Sequence, residues 1–186
     1  MLKITVFEND HYFPTLEEGI HFVSPVNDDV PDDMEWAFQG KTGEGRESLV
    51  LLVNCEAQKA YITTKATELR SMASEGAPAS KVDGYAQKVP RAERVAAGNG
   101  TAADIAIIAK EAELRGEGET PEQLAQLQLQ KANAMGMAVA IIDGLEDPAI
   151  KALESFTTQE ELQAGIELFE QALILTKQQL MEALNG

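Results

Sequence analysis

The chain has 186 residues and a mass of 20.1 kDa, room for one ordinary domain, or a small domain with a helical extension, but not for two full domains. Fifteen basic against 31 acidic residues leave a formal charge of −16, which excludes a surface built to lie on phosphate backbone and disfavours anionic membranes. Hydrophobic residues make up 44% of the chain but aromatics only 5%, so the core is expected to be mostly Ala, Leu, Ile, Val and Met, as in packed helices.

Residues 1–53 form a segment of distinct character. They hold the only Trp, both His residues and, with eleven acidic and three basic side chains, about half the net charge. Leu2 to Glu8 alternates in the manner of a strand, and the apolar run Ser48 to Val53 is a second strand candidate able to pair with it. A helical turn is expected at Thr15 to Gly19, then a short apolar run at Ile20 to Val23 and an acidic loop from Pro25 to Asp33. Such a segment predicts a compact α/β or β-rich head, and the start Met-Leu-Lys-Ile-Thr-Val, without a long apolar core or cleavage site, predicts a protein kept in the cytoplasm. Cys55 is the only cysteine, so no internal disulfide can form.

Residues 54–119 read as connecting helices. From Asn54 to Ser74 two readings compete: a strand at Ala60 to Thr64, or a long helix capped by Asn54 and carrying Tyr61, Ile62, Leu69 and Met72. The absence of Gly and Pro from Ala57 to Met72 favours the helix. A helix from about Lys81 to Ala97, with a bend at Pro90, should stop at Gly98-Asn99-Gly100. Thr101 and Asp104 should open another, with Ile105, Ile108, Ala109 and Ala112 on its buried face and Gly116 as its stop.

Residues 120–186 predict an antiparallel helical hairpin. The first arm opens with Thr120-Pro121 and Gln123 at capping-box spacing, and its stripe runs through Leu124, Leu127, Ala134, Met135, Ala138, Ile141 and Ile142. Asp143-Gly144 is read as its stop and Asp147-Pro148 as a short restart. The second arm, opened by Thr157 and Glu160, carries Leu162, Ile166, Phe169, Leu173, Leu180 and Leu184 on one stripe, with one polar step at Thr176. The fold class expected is therefore mainly α with a small N-terminal head and a C-terminal hairpin, and stripes of this spacing would also allow bundles across several copies of the chain.

The run Thr101 to Ala125, followed by Lys131-Ala132 and Ile141 to Leu145, resembles a C-terminal helical segment that recurs in tail accessory proteins of tailed bacteriophages. The resemblance covers about half the chain, from Tyr85 to roughly Glu170. Members of that group more often have Trp where this chain has Tyr85, and are more Ala- and Lys-rich where it has Gln126 to Gln130. The resemblance implies a structural or assembly role beside tail fibres or the baseplate, as a virion part or as a chaperone in the host cytoplasm, and it carries over no catalytic residue.

Candidate chemistry is sparse. His11 and His21, with Glu8, Asp10, Glu17 and Glu18, lack metal-ligand spacing, and residues on a sheet edge are the preferred reading. Asp28, Asp29, Asp32, Asp33 and Glu35 have Pro31 where a calcium loop needs alternating ligands and a central Gly. Gly40 to Gly45 lacks the spacing of a phosphate loop, Gly98-Asn99-Gly100 lies in an acidic field, and Cys55 has no His or Asn arranged as a nucleophile's partner. No cofactor is expected, nor an enzymatic activity.

The functional candidate is instead a partner-binding surface made by Tyr12, Phe13, Asp28, Asp29, Asp32, Asp33, Trp36 and Phe38, carboxylates steering a basic partner onto aromatic anchors. Against it stands the reading that Trp36 fills the head's core. A small acidic inhibitor that blocks a host protein is the alternative function.

Overall fold

The computed structural model of the chain describes residues 1–23, 30–74 and 79–185. They fall into two compact units, Met1–Thr64 with Glu146–Ala172, and Lys65–Leu145 with Leu173–Gly186. The expected acidic loop lies largely outside the described residues, as do Asp28, Asp29 and the side chains of Tyr85 and Leu184.

The first unit opens with a four-stranded antiparallel sheet in the order β2-β1-β3-β4. Strands β1 (Leu2–Val6) and β2 (Asn9–Phe13) are joined by Phe7 and Glu8, and β3 (Glu35–Phe38) and β4 (Lys41–Glu44) by Gln39 and Gly40. All four linking residues have positive φ, between 47° and 83°, the primed turn geometry whose twist matches paired strands. Between the hairpins lies α1 (Leu16–Phe22), opened by Thr15, whose side chain accepts from the Glu18 N–H. The Ile20 to Val23 run continues this helix.

Because strand side chains alternate in direction, Leu2, Ile4 and Val6 share one face with Trp36, and there they meet Val23, Val30, Met34, Leu49 and Leu52 in the head's core. Trp36 stands opposite Gly43 in the β3–β4 register. Its ring so nearly covers that glycine that a Cβ there would lie 2.3 Å from the ring. The indole N–H donates to Ser48 Oγ at 2.8 Å, and the Ser48 hydroxyl in turn faces the Glu44 and Gly45 carbonyls.

Ser48 to Val53, expected as a strand, belongs instead to α2 (Arg46–Ala73). β4 already supplies the strand partner that this run was expected to be. The run is also apolar on both sides of a strand but buries only Leu49 and Leu52 fully, a helical three-residue step. The helical reading of 54–74 holds, but Asn54 lies inside α2 rather than capping it. Its side-chain amide donates to Gln159 of α6 (Gln159–Asn185) at 3.0 Å. Two turns on, Tyr61 meets Phe169 edge to face at 6.1 Å and its hydroxyl reaches Glu170. Contacts that advance together along both helices mean that α2 and α6 run in the same direction here.

In the second unit, α3 (Ala79–Ala96), α4 (Ala102–Arg115) and part of α5 (Pro121–Leu153) close a small core of Ala92, Val95, Ile108, Ala112, Leu124 and Ala125. The α3–α4 corner is fixed by charge. Thr101 and Asp104 form a reciprocal capping box, while the Arg94 guanidinium grips the same carboxylate with bonds of 3.0 and 2.8 Å. Gly116 ends α4 in the left-handed conformation, as expected. Ile105, expected on the buried face, is 39% exposed: Ile108 and Ala112 are buried as expected, but at the first turn Asp104, gripped by Arg94, is buried instead.

Helix α5 does not stop at Asp143-Gly144 but runs through Gly144 and Pro148 to Leu153. Pro148 removes the bond to the Gly144 carbonyl, a cost of about 3 kcal/mol in an isolated helix. Burial of Ile142, Leu145 and Leu153 on either side offsets it, and Asp143 is held by Arg70 at 2.6 Å. Helix α6 buries Leu162, Phe169, Leu173, Thr176 and Leu180, the expected stripe with its polar step included. Its cap is shifted by one residue: Thr158 Oγ1 accepts from the Glu161 N–H, and Glu161 reaches back to the Thr157 N–H and hydroxyl. The first unit holds the end of α5 with the start of α6, and the second holds the start of α5 with the end of α6. The chain is thus mainly α with a small β-rich head.

Two outcomes follow from this packing. Gly43→Ala should lower stability by about 1–3 kcal/mol, the cost of overpacking against the Trp36 ring; the urea midpoint followed by fluorescence of the single Trp measures it. Asp104 is held below the usual carboxylate range, first by its bonds to Arg94 and then by Thr101. A depressed folded pKa gives stability that is fully present at neutral pH and is lost as pH falls below about 4. Asp104→Asn should therefore weaken the protein at pH 7 and flatten its acid-induced loss of helicity, followed by circular dichroism.

Candidate docking surface of the head

Two concave surfaces of the head stand out among the described residues, with a different predicted residue on the side of each. On the outer face of the sheet, Lys3, Thr5, Glu35, Ala37, Thr42 and Glu44 line a hollow of about 730 Å³. Strand alternation puts Tyr12 on this face, opposite Lys3. Lys3 is not available to a ligand carboxylate, since Asp10 binds it at 2.9 Å while also accepting from Thr5 and Tyr12. The bond to Lys3 is the main reason the Asp10 carboxyl sits below its usual range, and Asp10 likewise raises Lys3.

The second surface is a groove of about 800 Å³ where α2 and α6 both begin. Gly45 leads into α2 after donating its N–H to the Met34 carbonyl at 2.8 Å, which brings the end of β4 against the turn before β3. From there Arg46, Glu47, Ser48, Val50 and Leu51 form one wall, and Thr157 to Glu160 form the other. Val50 and Leu51 are half-buried and make the floor apolar, while Glu44, Glu47, Glu160 and Asp32 stand exposed around it. Arg46 is the groove's one basic side chain among the described residues. It is committed to the fold, with Nη2 donating to the Val30 carbonyl at 2.5 Å and Nε 3.4 Å from Asp32.

Electrostatics can be weighed. Each helix N-terminus carries about half a positive charge, so the two together offset about one carboxylate, and Arg46 offsets another. Of the four carboxylates on the groove, about two charges remain uncompensated. Glu161 does not line the groove; the Thr157 N–H and hydroxyl hold its carboxyl below the usual range as part of the cap.

The predicted residues therefore separate. Trp36 is 7% exposed, and the half-buried Phe13 and Phe38 pack against the same core, so all three rings contribute to holding the head together. Phe13 and His11 both stack on Phe22 of α1, at 5.1 and 4.7 Å. Tyr12 is 55% exposed on the outer sheet face, and Asp32 and Asp33 are exposed, Asp32 at the groove. Asp28 and Asp29 lie outside the described residues. Sequence reasoning missed Arg46, Val50, Leu51 and Glu160, because it placed 48–53 on a strand and Glu160 in a distant hairpin. The one signal for the groove was Gly45-Arg46-Glu47, a glycine before an acid-bearing first helical turn. Among the described residues no three His, Cys, Asp or Glu side chains gather as metal ligands, and no helix is long and apolar enough to cross a membrane. No family model, curated protein or solved structure matches the chain.

Arg46→Met should leave the Val30 carbonyl without its donor and lower stability by about 1–3 kcal/mol. Arg46→Lys should recover only part of it, because an ammonium cannot serve the carbonyl and Asp32 in the same fork. Urea titration with Trp36 fluorescence reads both.

Proposed function

We propose that the protein is a non-enzymatic structural or assembly component of a bacteriophage tail that acts by binding another tail protein, at the fibre or the baseplate. The observation that carries this reading is how the head uses its side chains: its Trp and most of its Phe residues close a core, while the groove at the two helix starts stays open with an apolar floor and an acidic rim. Such a surface is suited to a macromolecular partner that brings complementary charge, and the tail setting is what the resemblance of residues 85 to 170 implies. Helix α6 adds exposed Leu168, Ile174 and Leu175, side chains onto which another helix, of a second copy or of a different tail protein, would pack.

The charge of −16 favours a second reading, a small acidic inhibitor that occupies a basic site on a host protein. Salt separates the two. Capture of the natural partner that persists between 50 and about 500 mM salt supports a packed assembly interface, whereas collapse of binding over that range supports the inhibitor. Mass spectrometry of purified particles beside infected-cell lysate gives the second measure: a fixed copy number in particles supports a virion part, presence in lysate alone supports a chaperone or an inhibitor, and a nonviral source for the chain overturns the tail assignment.

A further inference from the structure

We propose that the groove between the starts of α2 and α6 receives a basic, amphipathic peptide segment of the partner, one cationic side chain lying over Val50 and Leu51 with its charged end among Glu44, Glu47 and Glu160. This rests on the reading of the chain as a binding protein and names the chemistry of what it binds.

Three properties of the groove select that occupant. Its remaining charge is negative after the helix ends and Arg46 are counted, so an anion is rejected and a cation drawn in. Its floor is apolar, which suits the alkyl stem of Lys or Arg better than a bare hydrated ion, since those stems lie along apolar surface while the head group stays among polar atoms. Its carboxylates are spread around the rim rather than gathered, and no metal-ligand group forms among the described residues; a small divalent cation needs convergent oxygens at short range. A second copy of this chain is disfavoured by charge, as each copy carries −16. The strained β1–β2 turn does not compete for the same role, for its exposed Phe7 brings no charge of its own.

The probe is an acetylated, amidated octapeptide of alternating lysine and leucine, titrated into the full chain at low salt and followed by NMR and by fluorescence of a labelled peptide. Glu44→Gln combined with Glu160→Gln removes two rim charges and keeps shape; Glu122→Gln combined with Glu182→Gln removes two exposed charges elsewhere. We expect the groove variant to bind about fivefold more weakly or worse, the control variant to bind as the parent does, and shifted resonances to centre on 44–51 and 157–160. Equal weakening in both variants would assign binding to the overall field and overturn the proposal, as would shifts centred elsewhere or no binding at all. Calcium chloride that alone moves the same resonances and expels the peptide at constant ionic strength would give the groove to a metal ion instead. Particle mass spectrometry is independent of this titration: a chain found in particles but indifferent to the peptide loses the groove assignment and keeps the assembly role.

Discussion

The first unit depends on one contact, the Trp36 indole laid over Gly43 and bonded to Ser48. The ring fills the space that a side chain on β4 would occupy, so β3 and β4 can pair closely only because residue 43 is glycine. Its N–H then reaches out of the sheet to the first turn of α2. A buried indole donor left unpaired would cost about 1–3 kcal/mol, and Ser48 removes that cost while its own hydroxyl turns back to the carbonyls of Glu44 and Gly45. Sheet, turn and helix start are thereby one hydrogen-bonded piece. The direction in which α2 leaves the sheet follows from it, and with that the side of α2 on which Val50 and Leu51 face the groove.

Where the helices begin is governed by a second constraint: their free N–H groups must be answered locally, because a helix start leaves them without intrahelical partners. The chain does this with Thr and a carboxylate or amide three or four residues on, at Thr101 with Asp104, Thr120 with Gln123, and Thr157-Thr158 with Glu161. The device places acidic side chains at the corners of the molecule for reasons of stability alone. An acidic corner is consequently weak evidence of binding. The groove differs in that Glu44, the last residue of β4, and Asp32, ahead of β3, take part in no such capping pair, and in that its apolar floor is left accessible between the two helix starts.

These same caps explain what could be read from the chain before its structure. Thr120 with Gln123 and Thr101 with Asp104 are local, complete within four residues, and both appear as expected. So does the α6 stripe, since Leu162 to Leu180 repeats the same three- and four-residue step throughout. The failures are places where a distant partner decides. Gly144 and Pro148 are local breakers, yet burial on both sides carries α5 through them. Ser48 to Val53 has strand-like composition, yet the glycine at 45 and the indole of Trp36 make it a helix start. Ile105 loses its inward place to Asp104 because Arg94, on another helix, holds that carboxylate. The aromatic residues proposed as anchors depend on distant partners in the same way: only the registers of β1 against β2 and of β1 against β3 place Phe13, Trp36 and Phe38 on the face of Leu2 and Ile4.

That inward placement changes what kind of recognition the head can offer. An interface built on Trp and Phe anchors would draw its affinity from desolvated apolar area and would tolerate salt. With Trp36 buried and Phe13 and Phe38 half-buried, the head's described exposed side chains include Phe7 at a turn, Tyr12 on the sheet face, a short apolar floor and a surplus of carboxylates, a combination that accelerates encounter and selects charge more than it supplies tight binding. Firm attachment would then need additional area, and α6 carries it in Leu168, Ile174 and Leu175 on the side away from its buried stripe. Selection by charge at the head and adhesion along a helix would be separable contributions in this arrangement, and the assembly role proposed above would draw on both.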